Sequence, residues 1–288
     1  MPELPEVEVV KKTLESQIKN LSIKNIKIID KNLRYKVKKQ NLKKIIGLKV
    51  IKIKRRSKYL LFLFNKNLAM IVHLGMTGKF FFVNNDLTKK RTSFHYDTND
   101  YNEKHNRIIF ILSKNIELIY NDIRKFGFVK VISLRDLKNE YHLKTLGPEP
   151  LGDNYNFRYF KDYLIGKKKK IKDLLMDQKF ISGLGNIYVN EILFLSKIKP
   201  DKKVDILSNE EIKKIITYTK KILKKAIIFG GSSIKNFSNS SGKKGNFQEM
   251  FHVYGRSGCN CSNSDCKGII KKMMLSNRSS FFCSKCQK

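Results

Sequence analysis

Five cysteines are the residues with the clearest capacity for chemistry, and all lie between positions 259 and 286. Cys283 and Cys286 form a C-x2-C pair, and Cys261 and Cys266 form a C-x4-C pair, both within the spacing of structural zinc sites. The sixteen residues between the pairs are enough for a β-hairpin, so four thiolates could close a tetrahedral site. Cys259 is left over, and it could replace Cys261 if the loop rearranged. A redox or disulfide role is the alternative, but clustering in one terminal stretch favours a metal.

Two further stretches have residue types that suit phosphate binding. Between two helical patterns lies ISGLGN, where Gly183 and Gly185 allow close approach of the backbone to a ligand and Asn186 can cap the second helix. A helix N-terminus binds phosphate well, and Lys172 lies on the preceding helix. Arg278 lies near the turn of the cysteine hairpin, a metal-fixed position that suits phosphate binding. A plain helical hairpin and a solvated surface arginine are the corresponding alternatives.

The chain opens with MPELPEVE, an acidic and proline-rich start for a lysine-rich protein. Pro5 suits the first turn of a helix, and Glu6 and Glu8 suit the positive end of the helix dipole. Helix capping does not account for Pro2 and Glu3, which precede the helix. A frayed terminus is the ordinary interpretation of these two residues.

The net charge of +35 favours a polyanionic partner, most simply nucleic acid. Only 10 of the 60 basic residues are arginine, so part of the excess reflects a bias toward lysine along the whole chain. No apolar run reaches the roughly 18 residues of a membrane span, and no signal-peptide pattern precedes the first helix. We therefore expect an intracellular, soluble protein without a membrane partner. No coiled-coil pattern is present, so a monomer is expected.

The periodicity of apolar residues changes once along the chain. Residues 4–19 predict an amphipathic helix, and short β-rich runs follow from about 22 to 133, typical of an antiparallel sandwich or barrel. The predicted strands are 23–30, 49–54, 59–64, 69–74, 79–83, 107–112 and 126–132. Helical patterns then occupy 157–164, 168–178, 187–196 and 209–229. Two polar segments, 84–106 and 230–247, are expected to be mobile or flexible loops.

Seven stretches occur in the order found in one family of DNA repair enzymes. They are MPELPEVE, RRSKYLLF, HLGMTG, DIRKFG, LGPEPL, ISGLGNIYVNEIL and the terminal VYGR…CSKCQ. Over essentially its full length the chain resembles the bacterial formamidopyrimidine-DNA glycosylases. The related endonuclease VIII group typically begins PEGPE, so Leu4 favours the formamidopyrimidine branch.

The resemblance implies an α+β architecture. It consists of an N-terminal helix with an antiparallel β-sandwich, a helix-two-turn-helix domain and a C-terminal zinc-ribbon finger, with damaged double-stranded DNA in the cleft between them. The expected boundaries are 1–133 for the catalytic domain, 134–149 for a linker, 150–249 for the helical domain with a lesion-recognition loop, and 250–288 for the finger. The expected cofactor is one structural Zn²⁺, held by Cys261, Cys266, Cys283 and Cys286.

The resemblance also implies a bifunctional glycosylase and abasic-site lyase of base excision repair in the bacterial cytoplasm, at the nucleoid. It would remove oxidised purines, such as 8-oxoguanine and formamidopyrimidines, and then cleave the strand by β,δ-elimination. The implied catalytic residues are Pro2, Glu3, Lys58 and Arg278. After loss of Met1, the secondary amine of Pro2 would attack the sugar C1′, and Glu3 would move protons.

The same resemblance implies two groups of DNA-binding residues. Met76, Arg124 and Phe126 would fill the gap left by the extruded nucleotide, although residue type alone favours core positions for Met76 and Phe126. Glu6 would lie near the damaged base, and His73 would contact the DNA backbone.

The second group would clamp the phosphates on either side of the flipped nucleotide. Lys172, Asn186 and Arg278 form this clamp, Tyr254 supports it, and loop 230–247 would close over the extruded base.

Three features depart from the family pattern. The first cysteine pair is C-x4-C where C-x2-C is usual, Ile123 replaces a common proline, and loop 84–106 is longer than usual. Two other functions stay open: a non-catalytic nucleic-acid-binding protein that keeps the fold, and a glycosylase for oxidised pyrimidines.

Overall fold

The structure is a computed structural model that describes residues 2–83, 101–232 and 247–288, together with the backbone of 89–91. Most of the two predicted loops, 84–106 and 230–247, therefore lies outside the described residues. The chain forms two compact units. The first contains the residues up to Lys144 and, later in the chain, 229–232; the second contains 145–228 and 247–288.

The first unit begins with helix α1, Leu4–Ile18, close to the predicted 4–19. Glu3 is its N-cap residue in an extended conformation, and a proline occupies the first turn, where its missing N–H costs no hydrogen bond. Val7, Val10 and Leu14 recur at helical spacing and are buried, which fixes the face that α1 turns toward the core.

Two antiparallel sheets follow α1. Their strands are β1 Ile23–Ile28, β2 Val50–Arg56, β3 Tyr59–Phe64, β4 Leu68–His73, β5 Gly78–Val83, β6 Lys89–Arg91, β7 Asn106–Leu112, β8 Glu117–Asp122 and β9 Phe128–Ser133. The five-stranded sheet has the order β1-β7-β8-β5-β6, and the four-stranded sheet has the order β2-β3-β4-β9. One apolar cluster contains buried residues of both sheets and of α1, so the predicted sandwich is confirmed.

Strand β8 was not predicted, although it lies in the middle of its sheet between β7 and β5. Its sequence ELIYND has a short apolar centre with acidic residues at both ends, which weakens the strand pattern. Two short helices of this unit were also missed, α2 at Lys39–Lys43 and α3 at Tyr141–Lys144, because one turn of helix carries no measurable periodicity.

The second unit contains four helices and a hairpin. The helices are α4 Phe157–Leu164, α5 Ile171–Met176, α6 Asn186–Leu195 and α7 Asn209–Ile228, and the strands are β10 Ile270–Leu275 and β11 Arg278–Cys283. Helix α6 is buried on every side, and its residues join the others in one apolar core. All four predicted helices and the predicted hairpin are present.

Among the residues described, no helix combines the length and the apolar composition that crossing a membrane requires.

Candidate active site and nucleic-acid interface

The N-terminal residues are fixed by the start of α1. Pro2 is buried, and Glu3 and Glu6 are 3% and 1% exposed. Glu6 Oε2 accepts a hydrogen bond from the backbone N–H of Glu3 at 2.8 Å. The residue next to Pro2 is therefore held by a carboxylate one turn further along the helix, so Pro2 does not belong to a frayed end.

The second carboxylate oxygen of Glu6 binds a distant part of the same unit. Its Oε1 accepts hydrogen bonds from the backbone N–H and the hydroxyl of Ser232, at 2.8 and 3.0 Å. Gly231 has a φ of +83°, and a Cβ there would lie 3.0 Å from Glu6 Oε1. Glycine is thus required both by the backbone conformation and by the closeness of Glu6. Ser232 is the last described residue before 233–246, so Glu6 fixes the start of the segment expected to close over the lesion.

Lys58 occupies the tight connection between β2 and β3. The preceding residue, Ser57, has a φ of +55°, and both residues are buried. Arg55 Nη1 donates to the carbonyl oxygen of Ser57 at 2.9 Å, and Arg55 Nε donates to Glu8 Oε2 at 2.7 Å. Glu8 on α1 therefore helps to shape the turn that carries Lys58, a role that the sequence alone did not indicate.

His73 lies at the end of β4, opposite Tyr59 on one side and Phe128 on the other. Its ring is 4.9 Å from that of Tyr59 and stacks on that of Phe128 at 5.9 Å. Burial lowers the pKa of His73 to about 4, and the nearby charge of Lys58 acts in the same direction. Nδ1 accepts the N–H of Gly75 at 3.1 Å, so the neutral ring carries its proton on Nε2. A neutral Nε2–H is a suitable donor to a phosphate oxygen.

Met76, Arg124 and Phe126 form an exposed cluster. Met76 and Phe126 are 43% and 44% exposed, which is unusual for large apolar side chains and contradicts the core positions that their residue types favour. Arg124 Nη1 lies 3.1 Å from Met76 Sδ, and the guanidinium lies 4.5 Å from the centre of the Phe126 ring. The three residues predicted to fill the vacated stack are thus brought together on the surface.

Asp122 holds the two turns that carry this cluster. Its side chain is fully buried, and it accepts hydrogen bonds from the hydroxyl of Thr77 at 2.6 Å and the N–H of Gly127 at 2.9 Å. The Thr77 oxygen in turn accepts the N–H of Arg124 at 2.9 Å. A Cβ on Gly75 would lie 2.5 Å from the Gly127 nitrogen, so the turns approach too closely for any larger residue. Sequence reasoning did not single out Asp122, although it begins the DIRKFG motif.

In the second unit, Lys172 and Asn186 converge on β11. Lys172 is 1% exposed, and its Nζ donates to the Ser279 carbonyl at 2.9 Å and to Ser280 Oγ at 2.7 Å. Asn186 Nδ2 donates to the same Ser279 carbonyl at 3.0 Å. Burial lowers the pKa of Lys172 to about 8, with the charge of Arg278 acting in the same direction. Both side chains therefore position the strand that begins at Arg278.

One prediction about Asn186 is wrong. The N-cap of α6 is Gly185, which has extended backbone angles, and Asn186 is the first helical residue. Its side chain does not cap the helix; instead, its amide donates to the Ser279 carbonyl on β11. A glycine cap leaves the first N–H groups of α6 without a covering side chain from the cap residue.

Two buried polar residues of α6, which the sequence did not indicate, attach the C-terminal module to this helix. Glu191 accepts the N–H groups of His252 at 2.8 Å, Val253 at 3.0 Å and Tyr254 at 2.8 Å. Asn190 Oδ1 accepts the N–H of Phe281 at 2.7 Å. The ring of Tyr254 meets that of Phe281 edge to face at 5.3 Å, so Tyr254 supports β11 from a second side. An apolar helix with two internal polar residues is the only signal that could have revealed them.

The cysteines at 261, 266, 283 and 286 form a cluster whose Sγ atoms all lie within 4.8 Å of one another. Four thiols at this separation could hold one tetrahedral metal ion. A Cβ on Gly268 would lie 2.6 Å from Cys283 Sγ and 3.1 Å from Cys266 Sγ, so the loop leaves room for the thiolates only because residue 268 is glycine. Cys259 is exposed and lies outside the cluster.

Arg278 lies at the tip of the hairpin that follows the first cysteine pair. Ser276 and Asn277 form the turn with φ values of +46° and +58°, and Arg278 is the exposed first residue of β11. The cysteine cluster at one end of the hairpin and Lys172 along β11 thus fix the position of an exposed guanidinium.

Two family models match the chain. The formamidopyrimidine-DNA glycosylase N-terminal domain matches residues 1–129, and the formamidopyrimidine-DNA glycosylase H2TH domain matches residues 146–238. Among curated proteins, the formamidopyrimidine-DNA glycosylase of Rickettsia bellii is 41% identical over 288 residues, which is 100% of both chains. That of Rickettsia felis is 40% identical over 287 residues, covering 100% of this chain and 98% of the relative.

Solved structures with the same fold come from Lactococcus lactis. The Lactococcus lactis Fpg in complex with DNA containing an abasic site has a TM-score of 0.86 and 34% identity, with 99% of each chain covered. The wild-type enzyme, also named MutM, in complex with DNA containing N7-benzyl-Fapy-dG has the same score and identity, with 100% of each chain covered.

Proposed function

The chain belongs to the formamidopyrimidine-DNA glycosylase family, and on that basis we propose that it is a bifunctional enzyme of base excision repair. It excises oxidised purines such as 8-oxoguanine and formamidopyrimidines from double-stranded DNA and then cleaves the strand at the abasic site. Its site of action is the chromosome in the bacterial cytoplasm, where it works as a monomer. The observation that carries the proposal is the buried Pro2–Glu3 pair held at the start of α1 by Glu6.

Pro2 is the proposed nucleophile. Removal of Met1 makes its nitrogen a secondary amine, and an α-amino group titrates near 8 against about 10.4 for lysine, so more of it is unprotonated at neutral pH. The nitrogen attacks C1′ of the damaged nucleotide, the C1′–N9 bond breaks, and the base leaves with a proton supplied by an acid. Glu3 is the proposed proton carrier because it follows Pro2 directly and is buried beside it.

The covalent intermediate accounts for strand cleavage. Opening of the sugar ring breaks the C1′–O4′ bond, O4′ takes a proton from Glu3, and the iminium between Pro2 and C1′ forms. The iminium makes the C2′ proton acidic, and its removal expels the 3′ phosphate in the β-elimination. A second proton loss expels the 5′ phosphate in the δ-elimination, and hydrolysis of the iminium returns the amine. Lys58 and Arg278 carry the charges that hold the phosphates beside the reacting sugar.

Extrusion of the nucleotide leaves a gap in the duplex. We assign Met76 and Phe126 to fill it, since both are exposed and apolar, and Arg124 to hydrogen-bond the orphaned base. His73 lies in the same unit as these three residues, and its neutral Nε2–H donates to the DNA backbone.

On the second unit, Lys172, Asn186 and Tyr254 set the position of β11 and hence of Arg278. The ion proposed for the four-cysteine cluster is Zn²⁺, since four thiolates match its preference. It acts as a structural ion that fixes the hairpin.

Borohydride trapping tests the proposal. The purified protein is mixed with a duplex carrying one 8-oxoguanine opposite cytosine, and borohydride is added to reduce the iminium to a stable amine. A covalent adduct that maps to Pro2, and that is lost in protein retaining Met1, is the expected result. Tight binding of the duplex without any adduct would instead favour a binding protein, and a duplex with an oxidised pyrimidine would then test the alternative lesion.

A further inference from the structure

A pocket of about 330 Å³ lies in the first unit, beside β9 and α3, and none of the residues assigned above lines it. Its volume falls in the range of about 300–1,000 Å³ that is typical of small-molecule sites. Its floor is apolar and buried, formed by Leu42, Phe128 and Val131. Its rim carries two exposed aromatic side chains, Tyr35 at 47% and Tyr141 at 70%. A buried apolar floor with exposed rings above it suits a planar ligand.

The rings are arranged as a connected set. Phe128 lies 4.9 Å from His142 and 5.3 Å from Tyr35, and Tyr141 lies 5.4 Å from His142. Burial lowers the pKa of His142, so this ring is neutral near pH 7 and offers an aromatic face without charge. Faces of this kind stack on nucleobases of any sequence.

The polar groups at the pocket are complementary to a nucleotide. Lys36, Lys38 and Lys130 line it with positive charge, which suits a phosphate. Glu140 also lines it and is 8% exposed; its Oε2 accepts from Lys130 Nζ at 2.8 Å. Glu140 Oε1 is buried, and no hydrogen-bond partner for it exists among the described residues. A buried carboxylate oxygen calls for a donor, and the amino group of a base is one.

We propose that this pocket is an accessory nucleotide site, in which a purine base stacks on Tyr35 and Tyr141, donates its amino N–H to Glu140, and places its phosphate against the lysines. The nucleotide is either free or part of a single strand, since both offer the same base and phosphate. The site shares no residue with the proposed active site, although the Phe128 ring of its floor also stacks on His73.

The test measures quenching of a fluorescent nucleotide, the 5′-monophosphate of 2-aminopurine deoxyriboside, by the full chain with its metal bound. The chain contains no tryptophan, so the probe can be excited with little interference. Stacking predicts saturable quenching. Glu140→Gln keeps the volume but weakens the acceptor, and should lower the affinity about tenfold, as expected for a hydrogen bond to a charged group. Glu210→Gln, on an exposed glutamate that pairs with Lys213, is the matched control and should bind as the wild type does.

Tyr141→Ala keeps the test valid if Glu140→Gln folds poorly, because a side chain that is 70% exposed contributes little to folding. It should lower the affinity by a similar factor.

A trinucleotide with 2-aminopurine in the middle identifies whether the nucleotide is free or part of a strand. If the mononucleotide and the trinucleotide are both quenched, and Glu140→Gln weakens both equally, the pocket accepts a strand. If only the mononucleotide is quenched, the pocket accepts free nucleotides. The absence of saturable quenching would overturn the proposal. Quenching that persists in both Glu140→Gln and Tyr141→Ala but disappears in Arg124→Ala would also overturn it.

Discussion

Glu6 and Ser232 are joined by two hydrogen bonds although they lie 226 positions apart in sequence. The same carboxylate also accepts the N–H of Glu3, so one buried side chain connects the N-terminal segment with the start of the segment that begins at residue 233. The group that orders the proposed nucleophile therefore also anchors the segment expected to close over the lesion. Lesion recognition and the first chemical step are expected to depend on each other through Glu6.

Glu6→Gln should slow base removal more than strand cleavage. The amide has one acceptor oxygen where the carboxylate has two, so it can bind Ser232 or the Glu3 N–H but not both. A preformed abasic site has no base for the closing segment to enclose. The rate of its cleavage should therefore fall only as far as the weaker hydrogen bond between residue 6 and the Glu3 N–H disturbs the N-terminus. We expect kcat/KM on an 8-oxoguanine duplex to fall by about 100-fold, on the order of one hydrogen bond to a charged group. Single-turnover assays on the two duplexes measure the difference.

Ser232→Ala separates the two roles, since it removes the hydroxyl hydrogen bond and leaves the contact between Glu6 and Glu3. Base removal should fall about fivefold, with cleavage of the abasic duplex unchanged. Equal losses on both duplexes would mean that Ser232 does not act through the closing segment.

Met76→Ala should affect the enzyme on DNA without affecting its folding. The side chain is 43% exposed, so unfolding free energy should change by less than about 0.5 kcal/mol. Loss of an apolar group that fills a base stack should weaken binding of an abasic duplex by about tenfold, the order of one stacking contact. Ile165→Ala is the control, because that side chain is also exposed, at 77%, but directly follows α4. If both variants bound the abasic duplex equally weakly, Met76 would have no specific role in filling the stack.

Thr77→Val tests the support beneath the same cluster. Valine keeps the shape but removes the donor to Asp122 and the acceptor for the Arg124 N–H, leaving the buried carboxylate short of one partner. Stability should fall by about 1–3 kcal/mol in chemical denaturation, and abasic-duplex binding should weaken although no DNA-contacting atom has changed. Thr13→Val removes a local hydroxyl bond to the Val9 carbonyl on α1 and should cost less. A stability change no larger than that of Thr13→Val would show that the Asp122 network contributes little.

The pH dependence of His73 follows from its lowered pKa. In the unfolded chain the ring takes up a proton near 6.5, whereas in the folded protein it does so only near 4. The native state therefore binds fewer protons between these values, and stability is lost as the pH falls from about 6.5 to 4. The loss assigned to this residue should reach up to about 3 kcal/mol. His73→Gln does not titrate, so the difference between its acid profile and that of the wild type isolates this contribution.

NMR provides an independent measurement for His73. A titration of the ring nitrogens should give a midpoint near 4 and show the neutral ring protonated on Nε2 at pH 7. A midpoint above 6, or a proton on Nδ1, would contradict the geometry at Gly75.

The elements were predictable from sequence wherever a long apolar pattern was present. The bounds of β3 and α4 coincide with the predicted 59–64 and 157–164, since each contains enough apolar residues to define its period. Strand β8 was missed because its short apolar run lies between acidic and polar residues. For the exposed Met76 and Phe126, residue type alone favoured the core, and only the resemblance to a family indicated the surface.

Residues that act through the backbone of a distant segment could not be predicted from their neighbours in sequence. Glu191 binds three N–H groups more than sixty residues away, and Asn190 binds β11. Both lie in a helix whose pattern indicates only burial. Asn186 was predicted to cap that helix because asparagine is a good N-cap, but the glycine before it takes the position and frees the amide to bind Ser279.

Removal of the metal should abolish DNA binding through the second unit and leave the first unit folded. Without an ion, four thiols within 4.8 Å of one another no longer hold the two ends of the hairpin, and the position of Arg278 is less firmly fixed. Lys172 and Asn186 would still bind Ser279, but the loop around Gly268 has no other covalent or ionic constraint among the described residues. We expect one zinc per chain by atomic absorption. Chelation should weaken duplex binding at least tenfold and produce a separate low-temperature unfolding transition.

Single cysteine variants identify the ligands and decide between the two candidates for the first position. Cys261→Ser should lose the ion and reproduce the effects of chelation, because its Sγ belongs to the cluster. Cys259→Ser should keep a full complement of zinc and bind DNA as the wild type does, because that residue is exposed and outside the cluster. Serine is close in size to cysteine, so a difference between the variants reports ligation more than packing. Retention of zinc by Cys261→Ser together with its loss from Cys259→Ser would mean that the loop rearranges on metal binding and that Cys259 is the true ligand.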